Sequence, residues 1–169
     1  MAKKTEKIIY WDTCVFLAWI KQEENKRDYL GDIEQLLRDN RAGNLILVTS
    51  QITRVELWRT NLDEAQCKLL DEALGRSWNI VYDVDGPVAR KAHDIQTKFA
   101  GDPDEEKFPE TPDALHIATA ILARADEFHT FDDGKNNKKA KFPILSKTAH
   151  AYLDRLTICK PRSENRQLL

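Results

Sequence analysis

At 169 residues, with 41% apolar and 32% charged side chains, the chain has the size and balance expected of one soluble domain with a core of ordinary extent. A formal net charge of -2 does not mark a strongly basic polyanion binder, although acids gathered around a cation would leave the remaining surface more basic than that sum implies. No apolar run approaches the roughly 18 residues that span a bilayer, and MAKKTEKIIYWD is too short in its apolar part for a secretory signal, so no membrane attachment and a cytoplasmic location are expected.

Taken in chain order, Lys7 to Trp11 is a short β-prone run that stops at Asp12, and the apolar stretch Thr13 to Ile20 suits a helix. Tyr29, Ile33, Leu36 and Leu37 recur at helical spacing, with Gly43 as the stop. Leu45 to Thr49, LILVT, reads as a strand buried in a parallel sheet. Ser50 or Thr53 stands where it would cap a short helix carrying Val55, Glu56, Leu57 and Trp58. Leu62 to Ser77 places Leu69, Leu70, Ala73 and Leu74 on one helical face, and a strand follows over Ile80 to Val84. Pro87 opens a helix with Val88, Ala92, Ile95 and Phe99 inward.

Residues 101–110, GDPDEEKFPE, are a loop. In TPDALHIATAILARAD, Thr111 is the expected cap and Pro112 the first helical residue, which puts Asp113 in the first turn. Glu127 to Phe131 is a fourth strand ending at Asp132 and Asp133, GKNNKKAK is a basic loop, and Leu156 to Cys159 is a last edge strand. Strands alternating with helices predict an α/β fold, a three-layer α/β/α sandwich with a mostly parallel central sheet, in a single domain over 1–161 with a polar tail over 162–169.

Several chemistries lack their markers. Cys14, Cys67 and Cys159 form no CxxC pair, which disfavours a disulfide framework or a structural zinc site. His93, His116, His129 and His150 form no HExxH pair and are expected at the surface or in packing. No GxGxxG, GxxxxGKS or GxSxG is present. What remains is a set of carboxylates, Asp12, Glu56, Asp113 and Asp132, each where an apolar stretch ends or a short helix begins. In an open parallel sheet the functional crevice lies beyond the carboxyl ends of the strands, where strand order reverses, so all four can meet there. Close carboxylates repel and are pushed to higher pKa unless a cation joins them, and oxygen donors of this kind suit Mg²⁺ or Mn²⁺.

The segments IIYWDTCVFLAW, TSQITRVELWRT, TPDALHIATAI and HTFDDGK resemble, in order, the four signature segments of PIN-domain proteins, over residues 8 to 135. The compact form is most similar to the VapC toxins of toxin-antitoxin pairs. The resemblance implies a metal-dependent endoribonuclease that leaves a 3′ hydroxyl and a 5′ phosphate on its RNA substrate, with structured RNA cut in exposed loops. Asp12, Glu56, Asp113 and Asp132 take the places of the family's four acids, as catalytic and metal-holding residues, with Thr13 beside the first and Thr130 in the Thr-x-Asp position. Asp133 competes with Asp132 for the fourth place; the Thr-x-Asp spacing favours Asp132. The tract from Asp133 to Pro161 is longer and more basic than the compact family form.

Mg²⁺ or Mn²⁺ would be held mainly by Asp12 and Asp113, with Glu56 and Asp132 contributing directly or through water, water as the nucleophile, and Thr130 bonding a water or a phosphate oxygen. Taken singly, each acid is more often a cap or a surface charge, and Thr13, Thr53 and Thr130 more often turn residues. Lys135, Lys138, Lys139 and Lys141 suit phosphate contacts or a solvated loop equally. Trp11, Trp19, Trp58 and Trp78 fit core or interface packing better than base stacking, and Arg162 and Arg166 read as disordered charge. A haloacid dehalogenase-type phosphatase would need an Asp where Cys14 stands, and a receiver domain a Lys that has no place here. The alternatives kept are a catalytically silent PIN-like module and a housekeeping processing nuclease. The expected partners are an antitoxin, laid as an amphipathic segment near the acids, and a second copy paired through Leu69 to Leu74.

Overall fold

In the computed structural model, residues 6–75, 79–135 and 141–165 are described. They form a five-stranded, wholly parallel sheet in the order β3-β2-β1-β4-β5, from β1 (Lys7–Trp11), β2 (Leu45–Ser50), β3 (Asn79–Tyr82), β4 (Glu127–His129) and β5 (Thr157–Cys159). The helices are α1 (Thr13–Lys21), α2 (Arg27–Arg41), α3 (Ile52–Trp58), α4 (Glu64–Gly75), α5 (Gly86–Gly101) and α6 (Thr111–Leu122).

Side chains alternate across a strand, and β1 divides the core accordingly. Ile9 and Trp11 join Leu45 and Leu47 beneath α1, α2 and α4, with Val15, Ile33, Leu36 and Leu70. Tyr10, Val48, Phe128 and Ile158 face the other way, onto Ile95 and Phe99 of α5 and Ile117 of α6. Each such side chain taken fully out of water stabilises the fold by about 1.5–3 kcal/mol. The result is the expected three layers, and the order places the topological switch between β1 and β4.

Local chemistry sets most of the boundaries. Gly43, at φ 73°, ends α2 with Asn44 N bonded to Asp39 O at 2.9 Å, a closing turn that a side chain would strain. Asp63 and Gln66 cap α4 reciprocally, Gln66 N to Asp63 Oδ1 at 2.8 Å and Asp63 N to Gln66 Oε1 at 3.1 Å. Asp85 Oδ1 accepts from Val88 N at 3.0 Å at the start of α5.

Other expectations are corrected. Glu110, not Thr111, is the N-cap of α6 and makes no side-chain cap bond; Thr111 is already helical and Pro112 follows it. Gln51 takes the cap position of α3, and Thr53 lies buried inside that helix with its hydroxyl 2.8 Å from that of Thr49. β4 ends at His129 rather than Phe131, because Phe131 N turns to bond Cys14 Sγ at 3.1 Å and its ring packs edge-on against Tyr29. Of the tract after Asp133, the part from residue 141 on is structural: Phe142, Ile144, Leu153 and Leu156 are buried in the α5–α6 core.

Leu70, Ala73 and Leu74 are buried within the chain's own core, so the face expected to pair two copies is already covered; Leu69 alone of that set is exposed. Trp11 is buried, but Trp58 is 62% exposed and is not a core residue; Trp78 lies outside the described residues. Arg162 is not free charge, since it donates to the buried Glu127 at 2.9 Å while Ser163 N donates to Asp32 Oδ1 at 3.1 Å; Arg166 lies outside the described residues. No helix among the described residues is long and apolar enough to cross a membrane.

Candidate functional site

Beyond the carboxyl ends of β1 and β4 a cleft of about 610 Å³ opens, lined by Asp12, Glu56, Asp113, Asp132 and Asp133. Asp12 directly follows β1, and its N donates to His129 O at 3.1 Å, so the β1–β4 pairing fixes its place. It is also the N-cap of α1: Oδ1 accepts from Thr13 N at 2.7 Å. Oδ2 accepts from Thr130 Oγ1 at 2.7 Å and from Cys14 Sγ at 3.3 Å. Thr130 Oγ1 in turn accepts from Asp132 N at 3.0 Å. Thr130 is therefore fully buried behind Asp12, its hydroxyl committed to that carboxylate and to Asp132 N, and it is not among the residues lining the cleft.

Asp113 projects from the first turn of α6. Burial, reinforced by the charges of Asp12 and Asp132, pushes its carboxyl up to about 7. Burial also raises Asp132, with Asp12 and Asp133 adding to it, while Asp132 Oδ1 accepts from Gly134 N at 2.8 Å. Asp133 is exposed on the rim, and its Oδ1 accepts from Lys135 N at 3.0 Å. The fourth acid facing the cluster is thus Asp132. If the chain cleaves RNA, as the resemblance implies, Asp132→Ala is expected to reduce that cleavage at least about 10-fold and Asp133→Ala to leave it near wild type; the opposite ranking would reverse the assignment.

Glu56, on α3, has 28% of its side chain exposed. Burial alone would raise it, but hydrogen bonds from His116 and Thr13 hold it below the ordinary carboxylate range. His116 Nε2 lies 2.8 Å from Glu56 Oε2 and 3.7 Å from Asp12 Oδ1, and Nδ1 lies 2.6 Å from Tyr10 Oη. His116 is 1% exposed, and its pKa is raised by Glu56, Asp12 and Asp113 against the effect of burial. The expectation of a packing or surface histidine missed this contact. The available signal was the Asp113-x-x-His116 spacing, which puts both side chains on one helical face.

The ligand atoms of Asp12, Glu56 and His116 lie within 4.8 Å of one another. An acid pushed to about 7 among like charges is what a cation would relieve, and the oxygen-rich donor set fits Mg²⁺ or Mn²⁺. Glu127, His129 and Cys159 form a second such group, but Lys7 at 3.0 Å and Arg162 at 2.9 Å already supply positive charge to Glu127.

Basic groups ring the acidic cleft. Lys135 and Lys141 are among its lining residues; Lys138 and Lys139 lie outside the described residues. Sequence reading missed two further lysines of this cleft: Lys26 sits 4.8 Å above the Phe131 ring and Lys160 5.2 Å above the Tyr29 ring.

A parallel α/β/α sheet with carboxylates converging at its switch point defines an acid-centred α/β class. The PIN domain model matches residues 9–141, and the chain belongs to the PIN domain family. No curated protein matches it significantly. Among solved structures it resembles VapBC2 from Rickettsia felis bound to a promoter DNA fragment, at 18% identity and TM-score 0.59, over 90% of this chain and 98% of that one. It also resembles Mycobacterium tuberculosis VapC20, a sarcin-ricin loop cleaving toxin, at 16% identity and TM-score 0.53, over 74% and 90%. FitAcB from Neisseria gonorrhoeae aligns at 20% identity and TM-score 0.53, over 90% and 97%. At these identities the likeness establishes the shared fold.

Proposed function

We propose that this chain is a Mg²⁺- or Mn²⁺-dependent endoribonuclease and the toxin of a toxin-antitoxin pair. The observation that carries the reading is the convergence of Asp12, Asp113 and Asp132 on one cleft, with Asp113 pushed to about 7. The family and the solved neighbours support it: one is named a sarcin-ricin loop cleaving toxin and another a toxin-antitoxin complex.

Asp12, Asp113 and Asp132 are the oxygen donors that would hold the cation, which supplies Lewis-acid polarisation of the phosphoryl group. The chain's own residues do the rest. Thr13 N and Thr130 fix the two oxygens of Asp12. Glu56 faces the cleft and orients the attacking water, taking its proton as the water oxygen bonds to phosphorus. The bond from phosphorus to the 3′ oxygen breaks, and that oxygen takes a proton from solvent water and leaves as a hydroxyl. Lys26, Lys135, Lys141 and Lys160 on the rim draw in the polyanion despite the acids below. An antitoxin segment laid across this cleft would block both cation and RNA. Pairing of two copies would rest on the exposed Val55 and Trp58 of α3.

Purified protein incubated with structured RNA is expected to cut it in the presence of Mg²⁺ or Mn²⁺, leaving 3′ hydroxyl and 5′ phosphate ends, and to stop on addition of EDTA. RNA binding without any metal-stimulated cleavage would replace this reading with the silent PIN-like module. Cleavage that persists in EDTA would sink the metal mechanism.

A further inference from the structure

We infer that His116 is the positioning residue of this site: clamped through Nδ1 by Tyr10, it holds one oxygen of Glu56 through Nε2 and so turns the other toward the cleft. Among the described residues, the two donors to Glu56 meet the same atom. His116 Nε2 lies 2.8 Å from Oε2, and Thr13 Oγ1 donates to that same oxygen. Whatever charge the ring carries, a nitrogen facing a carboxylate has to be the protonated one. Tyr10, fully buried, meets the other ring nitrogen at 2.6 Å, so the imidazole is fixed at both ends. A buried histidine that served only as filler would not need to aim an N–H at a carboxylate lining the cleft. The arrangement commits Oε2 and leaves Oε1 as the reacting oxygen, which makes Glu56 a single-oxygen group suited to orienting water rather than to gripping a cation with both oxygens.

The consequence for turnover rests on the nuclease reading; the link between His116 and Glu56 does not. In single-turnover cleavage, His116→Ala is expected to slow the step about 10–100-fold, the usual scale for a group that orients a reacting residue, with KM for RNA unchanged. His116→Gln, which restores an N–H donor, should recover most of that loss, and it also serves if the alanine variant folds poorly. In a Glu56→Gln background, His116→Ala should add no further loss. Independently of activity, the ¹⁵N imidazole resonances of His116 should report a proton on Nε2, shift in Glu56→Ala, and stay put in Asp132→Ala. A glutamine variant as slow as the alanine variant, losses that multiply in the double variant, or a His116 resonance indifferent to Glu56→Ala would each overturn the assignment. A wild-type protein that cuts no RNA with Mn²⁺ would end the nuclease reading, while the resonance experiment would still decide the His116–Glu56 link.

Discussion

Asp113→Asn is expected to abolish metal-dependent cleavage and, in metal-free protein above neutral pH, to stabilise the fold. The carboxyl lies at about 7 in the folded chain against an ordinary value of 3.8. Between those values the folded state keeps a proton that the unfolded chain has released, so the stability this group contributes falls as pH rises through the window. Above about 7 the whole penalty of an ionised Asp113 beside Asp12 and Asp132 is present; below the unfolded value it vanishes. At about 1.4 kcal/mol per unit the shift corresponds to roughly 4 kcal/mol, and access of water to the cleft reduces this to about 1–3 kcal/mol. Denaturant titrations at pH 8 and pH 4 should show Asp113→Asn more stable than wild type at the higher pH and level with it at the lower. Saturating Mg²⁺ should shrink the gap at pH 8, because the cation stabilises only the chain with the carboxylate. Asp113→Asn and Asp12→Asn should both lower kcat at least about 100-fold, the scale of removing a group that stabilises charge in the transition state. No gain at pH 8, or cleavage retained in both variants, would contradict the acidic cluster.

The same cluster explains why the candidate acids were legible. Asp12 ends a β-prone run, and Asp113 follows Thr-Pro at a helix start, so strand end and helix start alone place both at one edge of the sheet. What lay between them was not legible. His116 carried no pairing motif, and only the packing of α6 against Tyr10 of β1 shows that its ring spans from the core to Glu56. Thr130 read as a cleft residue because its spacing from Asp132 was visible, while the hydroxyl's rotation back to Asp12 depends on β1 and β4 lying side by side. The corrected cap of α6 has the same origin: Thr111 and Glu110 are equally polar in sequence, and the backbone turn decides between them. Leu69 and Leu70 both read as lying on one helical face, yet a helix resting on a sheet covers only part of its apolar stripe, and Leu69 falls outside it. Composition could not place Arg162 either, since its partner Glu127 is 35 residues away and sits on β4.

That pair carries the second large effect. Glu127 has a side chain only 7% exposed, yet it takes 3.0 Å contact from Lys7, 2.9 Å from Arg162 and 2.8 Å from His129. Burial opposes its charge, but the bonds from His129, Arg162 and Lys7 hold its carboxyl well below the ordinary range. His129 is itself lowered by burial, and its Nδ1 has no partner among the described residues, so the carboxylate carries the negative charge of this layer. Removing one member of a buried ion pair costs about 3–5 kcal/mol when the partner is stranded. Here Lys7 and Arg162 are 32% and 61% exposed and can return to water, which reduces the expected cost of Glu127→Ala to about 2–3 kcal/mol. Arg162→Ala should cost under about 1 kcal/mol, because Lys7 remains. The pH dependence has the opposite sign to that of Asp113: the stability from Glu127 is complete above its unfolded value of 4.5 and is lost as pH falls through its depressed folded value. Glu127→Gln should therefore flatten the acid limb of a stability profile below about pH 4.5. Cleavage per folded molecule should not change, because neither Glu127 nor Lys7 or Arg162 lines the cleft. A Glu127→Gln profile that falls in acid as steeply as wild type would locate the acid sensitivity in another depressed carboxylate, with Glu56 the half-buried candidate, since the raised Asp113 and Asp132 have the opposite sign.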